Sequence, residues 1–588
     1  MRINKIFLRC LALILLGLLV YGQTFRFGFV FDDNLFIVAN PFIKNFSNFH
    51  MMWHTFPLTR LVGMYSFALN YYFNQLDARG YHIFNFIVHL IATGLVWALA
   101  DLLFKITART VIPAQAGIHK DLPFIIALLF LVHPCQTQAV TYITQRFESM
   151  AAVFYFGTIY FYLRARLSTV KTHQMALFGL AGLATILGVL TKEVIMTVPV
   201  MVLACEWILL NTVIPAKAGI HNKHYLTILA AGFLLCLLFS KMLHLQLVDF
   251  SKTIPSESHD GDVFTTAHYV LTQMRVFLTF LRLLVLPIHQ NVDYDYPAST
   301  GFLHPPLTLA GLGVILGFIF LIIKLRRSFP LIAFGLAWML ITFSVNLVPR
   351  FNVIFEHKLY LISFGFILAF VSALSVLVWK KPGHIDFLGI QKVNVSRFFL
   401  YCLVFVLAFM SFQRNKVWAN ELALWENNIK ESPGKARVNA SLGRVYGSLG
   451  RLDASIYYLS RAIAISPNNI TYENRGIIYG QQGRTAQALE DLNKSIAMDP
   501  NYFSTYVKRA WVYQTQHNYK EALDDLGRAI ALEPQFEDAY MERGMLWMQA
   551  GRAQEALKDF QQVLSIDPLN PEAARDIKLC RLANGRHQ

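Results

Sequence analysis

Long apolar runs recur through the first 416 residues and then stop. They lie near 6–23, 82–104, 121–133, 148–163, 174–190, 194–210, 225–243, 307–323, 331–348, 359–378 and 398–412. A bilayer requires about 20 apolar residues of a spanning helix, so the shorter runs must extend into their flanks. Across 588 residues the chain is 55% hydrophobic and only 15% charged, which excludes a soluble globular protein of this length. The first run follows Met1-Arg-Ile-Asn-Lys5 and meets no small-residue cleavage site, so it reads as a retained signal anchor. These features predict a helical membrane domain of about 11 spans over residues 1–416.

Residues 417–588 carry a different signal. Prolines recur at Pro433, Pro467, Pro500, Pro534 and Pro568, and alanines at Ala454, Ala488, Ala522 and Ala556. The steps are 33 or 34 residues. Small residues at fixed points let paired helices approach closely, and a proline ends each second helix. The pattern is that of the tetratricopeptide repeat, whose copies are stable as a stack because each buries its apolar face on the next. The predicted fold class is therefore all-α, a multispan membrane domain followed by an α-solenoid. Such repeats bind protein or peptide.

The formal charge of +16 belongs almost wholly to the membrane half, since residues 432–588 balance 19 Lys/Arg against 17 Asp/Glu. A basic membrane half reflects loop topology before it suggests nucleic acid. The run Val270–Pro287 carries Arg275 and Arg282 seven residues apart on one helical face, which suits a helix lying at the interface. With that run uncrossed, Arg2, Lys5, Lys105, Arg164, Arg166, Lys324, Arg326, Arg327 and Lys380 share one side. The positive side is cytoplasmic, which predicts a cytoplasmic N-terminus and outer repeats. Two near-identical stretches, Thr110–His119 and Thr212–His221, fall in loops on the positive side and read as tolerated insertions. The six cysteines show no metal-ligand or disulfide spacing, and no metal site is expected.

The same topology gathers the membrane half's polar residues on the outer side. Asp32 and Asp33 lie beyond the first span; His82, Asn85 and His89 open the second on one face. Arg146 and Glu148, Lys192 and Glu193, Asp293, Arg350, and Glu356-His357-Lys358 follow. Ionisable groups at a membrane edge are costly and are usually paired or functional. Each also has a plain structural reading. The aspartates suit a solvated turn, Lys192 and Glu193 suit an ion pair, and His82, Asn85 and His89 suit interhelical hydrogen bonds.

Taken in order, Phe31-Asp-Asp-Asn34, Tyr81-His-Ile-Phe-Asn85, His133-Pro134 with Gln145-Arg-Phe-Glu-Ser149, Thr191-Lys-Glu193, Leu281–Pro287 with Asp293-Tyr-Asp295, and Phe355–Tyr360 precede the repeats. This arrangement resembles the GT-C glycosyltransferases, and more closely the transmembrane and tetratricopeptide-repeat O-mannosyltransferases and their bacterial relatives. Where relatives commonly have Arg-Pro, this chain has Thr59-Arg60-Leu61, which leaves Arg60 without an assigned role. The resemblance implies inverting transfer of a mannose-like sugar from a polyprenyl-phosphate donor to a hydroxyl of an acceptor protein. It implies Asp32 or Asp33 as the base, with a slight preference for Asp33. Arg146, Lys192, Arg275, Arg350 and Lys358 would hold the donor phosphate. His82, Asn85, Glu148, Glu193, Asp293, Glu356 and His357 would position sugar or acceptor. No cofactor or metal is implied, and the location is the bacterial cytoplasmic membrane with periplasmic repeats. The rival readings are a scaffold recruiting envelope or pilus partners, and a GT-C enzyme acting on lipid or polysaccharide.

Overall fold

The computed structural model describes residues 2–44, 52–53, 56–111, 121–211, 253–255, 263–350, 352–379, 392–568 and 570–585. The predicted span at 225–243, the second of the two near-identical stretches and all but the first two residues of the other lie outside them. The described chain is helical apart from one short antiparallel ladder, Thr253–Pro255 with Val263–Thr265. It divides into two compact units, Met1–Asn427 and Asn428–Gln588.

In the first unit eight helices among the described residues are long and apolar enough to cross a bilayer, and a bent pair would make a ninth. Helix Leu122–Val132 has 11 residues, too few to cross alone. Its chain turns by 54° into Pro134–Thr141. Pro134 supplies the break, because its nitrogen cannot donate and its ring excludes a continuing helix. Helix Arg146–Leu167 matches the run at 148–163 in length, but Arg146, Glu148, Arg164 and Arg166 lie along it, and it is not among the eight. Helix Thr266–Val285 buries Tyr269, Arg275, Val276, Phe277, Phe280, Leu283 and Leu284 on one side. It is not among the candidate spans, in keeping with an interfacial placement.

Close packing is set by small residues where two helices touch. Helices Pro330–Phe343 and Leu359–Trp379 meet at Gly335 and Gly365. A Cβ at Gly335 would come within 2.5 Å of the Gly365 carbonyl oxygen, and one at Gly365 within 2.6 Å of the Gly335 oxygen. Membrane helices pack through such small contacts because lipid offers no hydrophobic drive between them.

The boundary differs from the one read in the sequence. Residues 417–427 belong to the membrane unit, because Trp418 and Leu424 share a buried cluster with Val30, Tyr142 and Val292. Trp425, also fully buried, packs edge-on against Phe31 at 5.4 Å between ring centroids.

The second unit stacks four helix pairs, from Ala436–Ser448 with Leu452–Ile465 to Glu537–Gln549 with Ala553–Ile566, and ends on helix Pro571–Gly585. Three of the pairs are clamped by an ion pair that the proline and alanine periods do not reveal. Arg475 grips Asp491 at 2.7 and 2.9 Å, Arg509 grips Asp525 at 2.8 and 2.7 Å, and Arg543 grips Asp559 at 2.9 and 2.8 Å. Two parallel bonds fix both distance and orientation between the helices. Asp525→Ala leaves the Arg509 fork without its partner and is expected to destabilise that pair by about 1–3 kcal/mol. Hydrogen exchange of the full chain should show faster exchange in Phe503–Thr515 and Tyr519–Leu532 than in the wild type.

Candidate active site

The aspartate pair sits on a turn that the backbone does not adopt freely. Phe31 has φ +56°, a left-handed conformation costly for a bulky residue. Its ring is held between Tyr142 at 6.0 Å and Trp425 at 5.4 Å, and Tyr142 in turn stacks on Trp418 at 5.0 Å. This aromatic wall fixes where the next two side chains go. Asp33 is fully buried. One carboxylate oxygen accepts from the Thr144 amide at 2.8 Å and hydroxyl at 2.5 Å, and the other from the Val30 amide at 3.1 Å. Asp32 is only half-buried. Its amide donates to the Tyr142 hydroxyl at 3.2 Å, and the two side chains also share a hydrogen bond.

Burial raises the Asp33 carboxyl from an ordinary 3.8 to about 7, against the pull of its bonds to Thr144 and Val30. Burial, then the charges of Asp32 and Asp33, pushes the Tyr142 hydroxyl well above its usual range, so it stays neutral.

A second cluster lies about one helical turn along the same segment, where Glu148 follows Thr144 by four residues. Lys192 pairs with Glu148 at 2.5 Å. Glu193 pairs instead with Arg60 at 2.8 Å and with Arg350. The backbone at Lys192 is extended, with φ −161° and ψ 148°, and successive side chains of an extended chain point opposite ways. Lys192 and Glu193 therefore serve different partners instead of each other. Lys358 completes the cluster: its amine is buried and has no hydrogen-bond partner. Glu148, Lys192, Glu193, Arg350 and Lys358 line one cavity of about 20 Å³ with Thr342 and Asn346, which is room for little more than a water-sized group.

Four basic side chains, Arg60, Lys192, Arg350 and Lys358, surround two carboxylates, Glu148 and Glu193. Burial first, and then neighbouring Arg60, lowers the Lys192 amine despite the attraction of Glu148. Burial also works against charge on Arg350, but the Glu193 carboxylate overrides it and the guanidinium stays well protonated. Basic side chains thus outnumber carboxylates four to two around this small cavity. Arg60, which the sequence left without an assigned role, joins the cluster through Glu193, 133 residues away in the chain.

Other expected ligands are placed elsewhere. Arg146 is fully buried, and its guanidinium donates to Asn85 at 2.6 Å, to Ser66 twice and to the Tyr81 carbonyl at 3.1 Å. Every nitrogen is engaged, so Arg146 is a strut between helices and not a phosphate ligand. Asn85, which also donates to the Val140 and Ile143 carbonyls, belongs to the same strut. Arg275 bonds Ser299 at 3.3 Å and lies 4.6 Å from the Tyr296 ring centre, on helix Thr266–Val285. Glu356 is buried and accepts from the Asn291 amide at 2.5 Å, Tyr294 hydroxyl at 2.6 Å and Gln290 at 3.1 Å. Its carboxylate anchors that loop, and sugar binding is not available to it. Asp293 is buried in the same loop. His357 is buried, with its amide on Gln138 at 2.7 Å and its ring stacked on Phe355. His82 is buried against the Phe27 and Gly28 backbone that leads to the aspartates, and His89 bonds Tyr360 at 2.7 Å. Among the described residues no group of three His, Cys, Asp or Glu side chains is arranged to hold a metal.

Fold and site together define a many-helix membrane protein with a buried, charge-rich site and a repeat domain. Tetratricopeptide-repeat models match residues 436–469, 471–502 and 509–581. The chain is 25% identical over 462 residues to protein O-mannosyl-transferase F38B6.6 of Caenorhabditis elegans, covering 74% of this chain and 59% of that protein. It is 30% identical over 183 residues to protein O-mannosyl-transferase Tmtc1 of Drosophila melanogaster, and 28% over 311 to Tmtc2 of the same organism. These cover 28% and 49% of this chain, and 20% and 30% of the relatives. The chain thus spans less than two thirds of the relatives it matches. The resemblance drawn from the motifs is borne out: the relatives are named protein O-mannosyl-transferases and the repeats are tetratricopeptide repeats.

The raised Asp33 carboxyl ties stability to pH. The folded chain holds that proton more tightly than the unfolded one, so this group favours folding most below about pH 4. Its contribution falls as pH rises to about 7 and is level beyond. Thermal unfolding in detergent should show Asp33→Asn gaining on the wild type between pH 4.5 and 7.5.

Proposed function

We propose that the chain is a GT-C-type membrane glycosyltransferase that moves a mannose-like sugar from a polyprenyl-phosphate donor to a hydroxyl of an acceptor protein. The observation that carries this reading is the Lys358 amine, buried without a hydrogen-bond partner and 5.5 Å from the Phe355 ring centre, beside Lys192 and Arg350. An excess of cations about a helical turn from a carboxylate pair suits a reaction that expels a phosphate while removing a proton. The names of the relatives point the same way. A scaffold would account for the repeats but not for a desolvated cation.

In this reading the acceptor oxygen attacks the anomeric carbon as the bond to the phosphate oxygen breaks, with inversion. Asp32 takes the hydroxyl proton. Its half-exposed carboxylate is the better placed of the pair, because both oxygens of Asp33 are occupied by Thr144 and Val30. Asp33 is then a positioning residue that sets the turn. Lys358, Lys192 and Arg350 stabilise the departing phosphate, Lys as point charges and Arg through its fork. Glu193 holds Arg60 and Arg350 in place, and Glu148 holds Lys192. The reading calls on no metal or cofactor. The repeats capture the acceptor protein.

The proposed location is a bacterial cytoplasmic membrane, with the N-terminus inside and the aspartate loop and repeats in the periplasm. Reporter fusions at the C-terminus should be active only outside; activity in the cytoplasm overturns the topology. Transfer from a labelled polyprenyl-phosphate mannose to envelope proteins tests the chemistry. Asp32→Asn should lose about 10²–10⁴ in rate. Lys358→Met should lose about 10²–10³ while unfolding no earlier than the wild type, since it removes a buried amine that makes no hydrogen bond. Retained transfer in Asp32→Asn and Asp33→Asn would move the base elsewhere, and label in lipid or polysaccharide would change the acceptor.

A further inference from the structure

In the proposed transfer Asp32 takes the acceptor's proton, so the groups that hold its carboxylate govern its use. Asp32 lies among other acids. Asp33 follows it, and the two charges oppose each other. Glu421, on helix Glu421–Glu431, accepts from Asn34 at 2.9 Å, and Asp293 adjoins Val292 in the cluster that buries Val30 and Tyr142. Carboxylates in company favour the protonated form, and a protonated Asp32 cannot accept a hydroxyl proton.

Tyr142 opposes this. Its hydroxyl oxygen accepts from the Asp32 amide at 3.2 Å, and the hydroxyl also bonds the Asp32 side chain. An ionised carboxylate only accepts, so the phenol is the donor in that second bond. A single hydroxyl thus grips the backbone and the side chain of one residue, which limits rotation about the Asp32 Cα–Cβ bond. The ring has no room to leave. It is 1% exposed, stacks on Trp418 at 5.0 Å with 15° between the planes, and meets Phe31 at 6.0 Å. Burial, and then both aspartates, keep the hydroxyl neutral, so it remains a donor wherever Asp32 changes charge. Among the described residues its bonds all go to Asp32. Packing in the aromatic wall calls for a ring at this position, but not for its oxygen.

We propose that Tyr142 is a positioning residue of the transfer reaction, whose hydroxyl clamps Asp32, aims its carboxylate and keeps it ionised for the acceptor's proton. This rests on Asp32 being the base. The phenol keeps its own proton throughout, and the acceptor's proton ends on Asp32.

Two measurements on the full-length protein test the clamp separately from the base. The infrared carboxyl band lost in Asp32→Asn reports Asp32 without any turnover. In Tyr142→Phe that band should titrate at higher pH than in the wild type, because a hydrogen bond to the charged form has been removed. In transfer from polyprenyl-phosphate mannose, Tyr142→Phe should lower kcat about tenfold with KM unchanged, the worth of one hydrogen bond to a charged group. Its unfolding temperature should stay at the wild-type value. Trp418→Leu loosens the stack and should lower the unfolding temperature without moving the Asp32 band. A band unmoved in Tyr142→Phe, or moved equally in both variants, would reduce Tyr142 to packing and overturn the clamp. A shifted band with full transfer in Asp32→Asn would leave the hydrogen bond standing but overturn both the base and the catalytic role drawn from it.

Discussion

The short segment from Tyr142 to Glu148 is the constraint on which the membrane unit's site depends. Its alternate side chains reach four different places. Tyr142 bonds Asp32, Thr144 bonds Asp33, Arg146 ties Asn85, Ser66 and Tyr81, and Glu148 neutralises Lys192. None of these contacts is local in sequence. Each satisfies a polar group that burial would otherwise penalise heavily. The segment therefore sets the separation between the carboxylate turn and the cation cluster, and Arg146 at its centre keeps it from sliding.

This arrangement explains why ionisable residues that look equivalent along the chain have such different uses. Arg146 is fully buried and saturated by neutral acceptors, whereas Arg350 is part-exposed and held by a carboxylate beside a small cavity. Glu356 and Glu193 differ likewise. The first is enclosed by amide and hydroxyl donors of one loop with the Arg414 guanidinium at 3.9 Å, and the second is suspended between two guanidinium groups. A group able to exchange partners is one whose present partners are charged and few.

What the sequence made legible follows from range. Apolar runs and the repeat period are local signals, and helices stand where the described runs lie. The site motifs named Lys192, Glu193, Arg350 and Lys358, which line one cavity in the structure, but could not say which residues would face it. Arg146 was misjudged because charge in a motif suggests binding, whereas its partners, Ser66 and the Tyr81 carbonyl, carry no signal. Arg60 was left without a role because its partner, Glu193, lies far along the chain. The domain boundary was read where apolarity ends, but packing continues past it through Trp418 and Trp425.

That last point bears on how such chains can be divided and recombined. The wall behind Phe31 is contributed by residues that follow the last membrane helix, so the reactive turn near the N-terminus is completed only when the chain has been made as far as Trp425. Exchange of repeat domains between relatives would leave the turn intact if the junction fell at 427–428, and would strip it of its backing if the junction fell at 416. The second unit is modular only from residue 428 onward; the eleven residues 417–427 belong to the wall behind the aspartate turn.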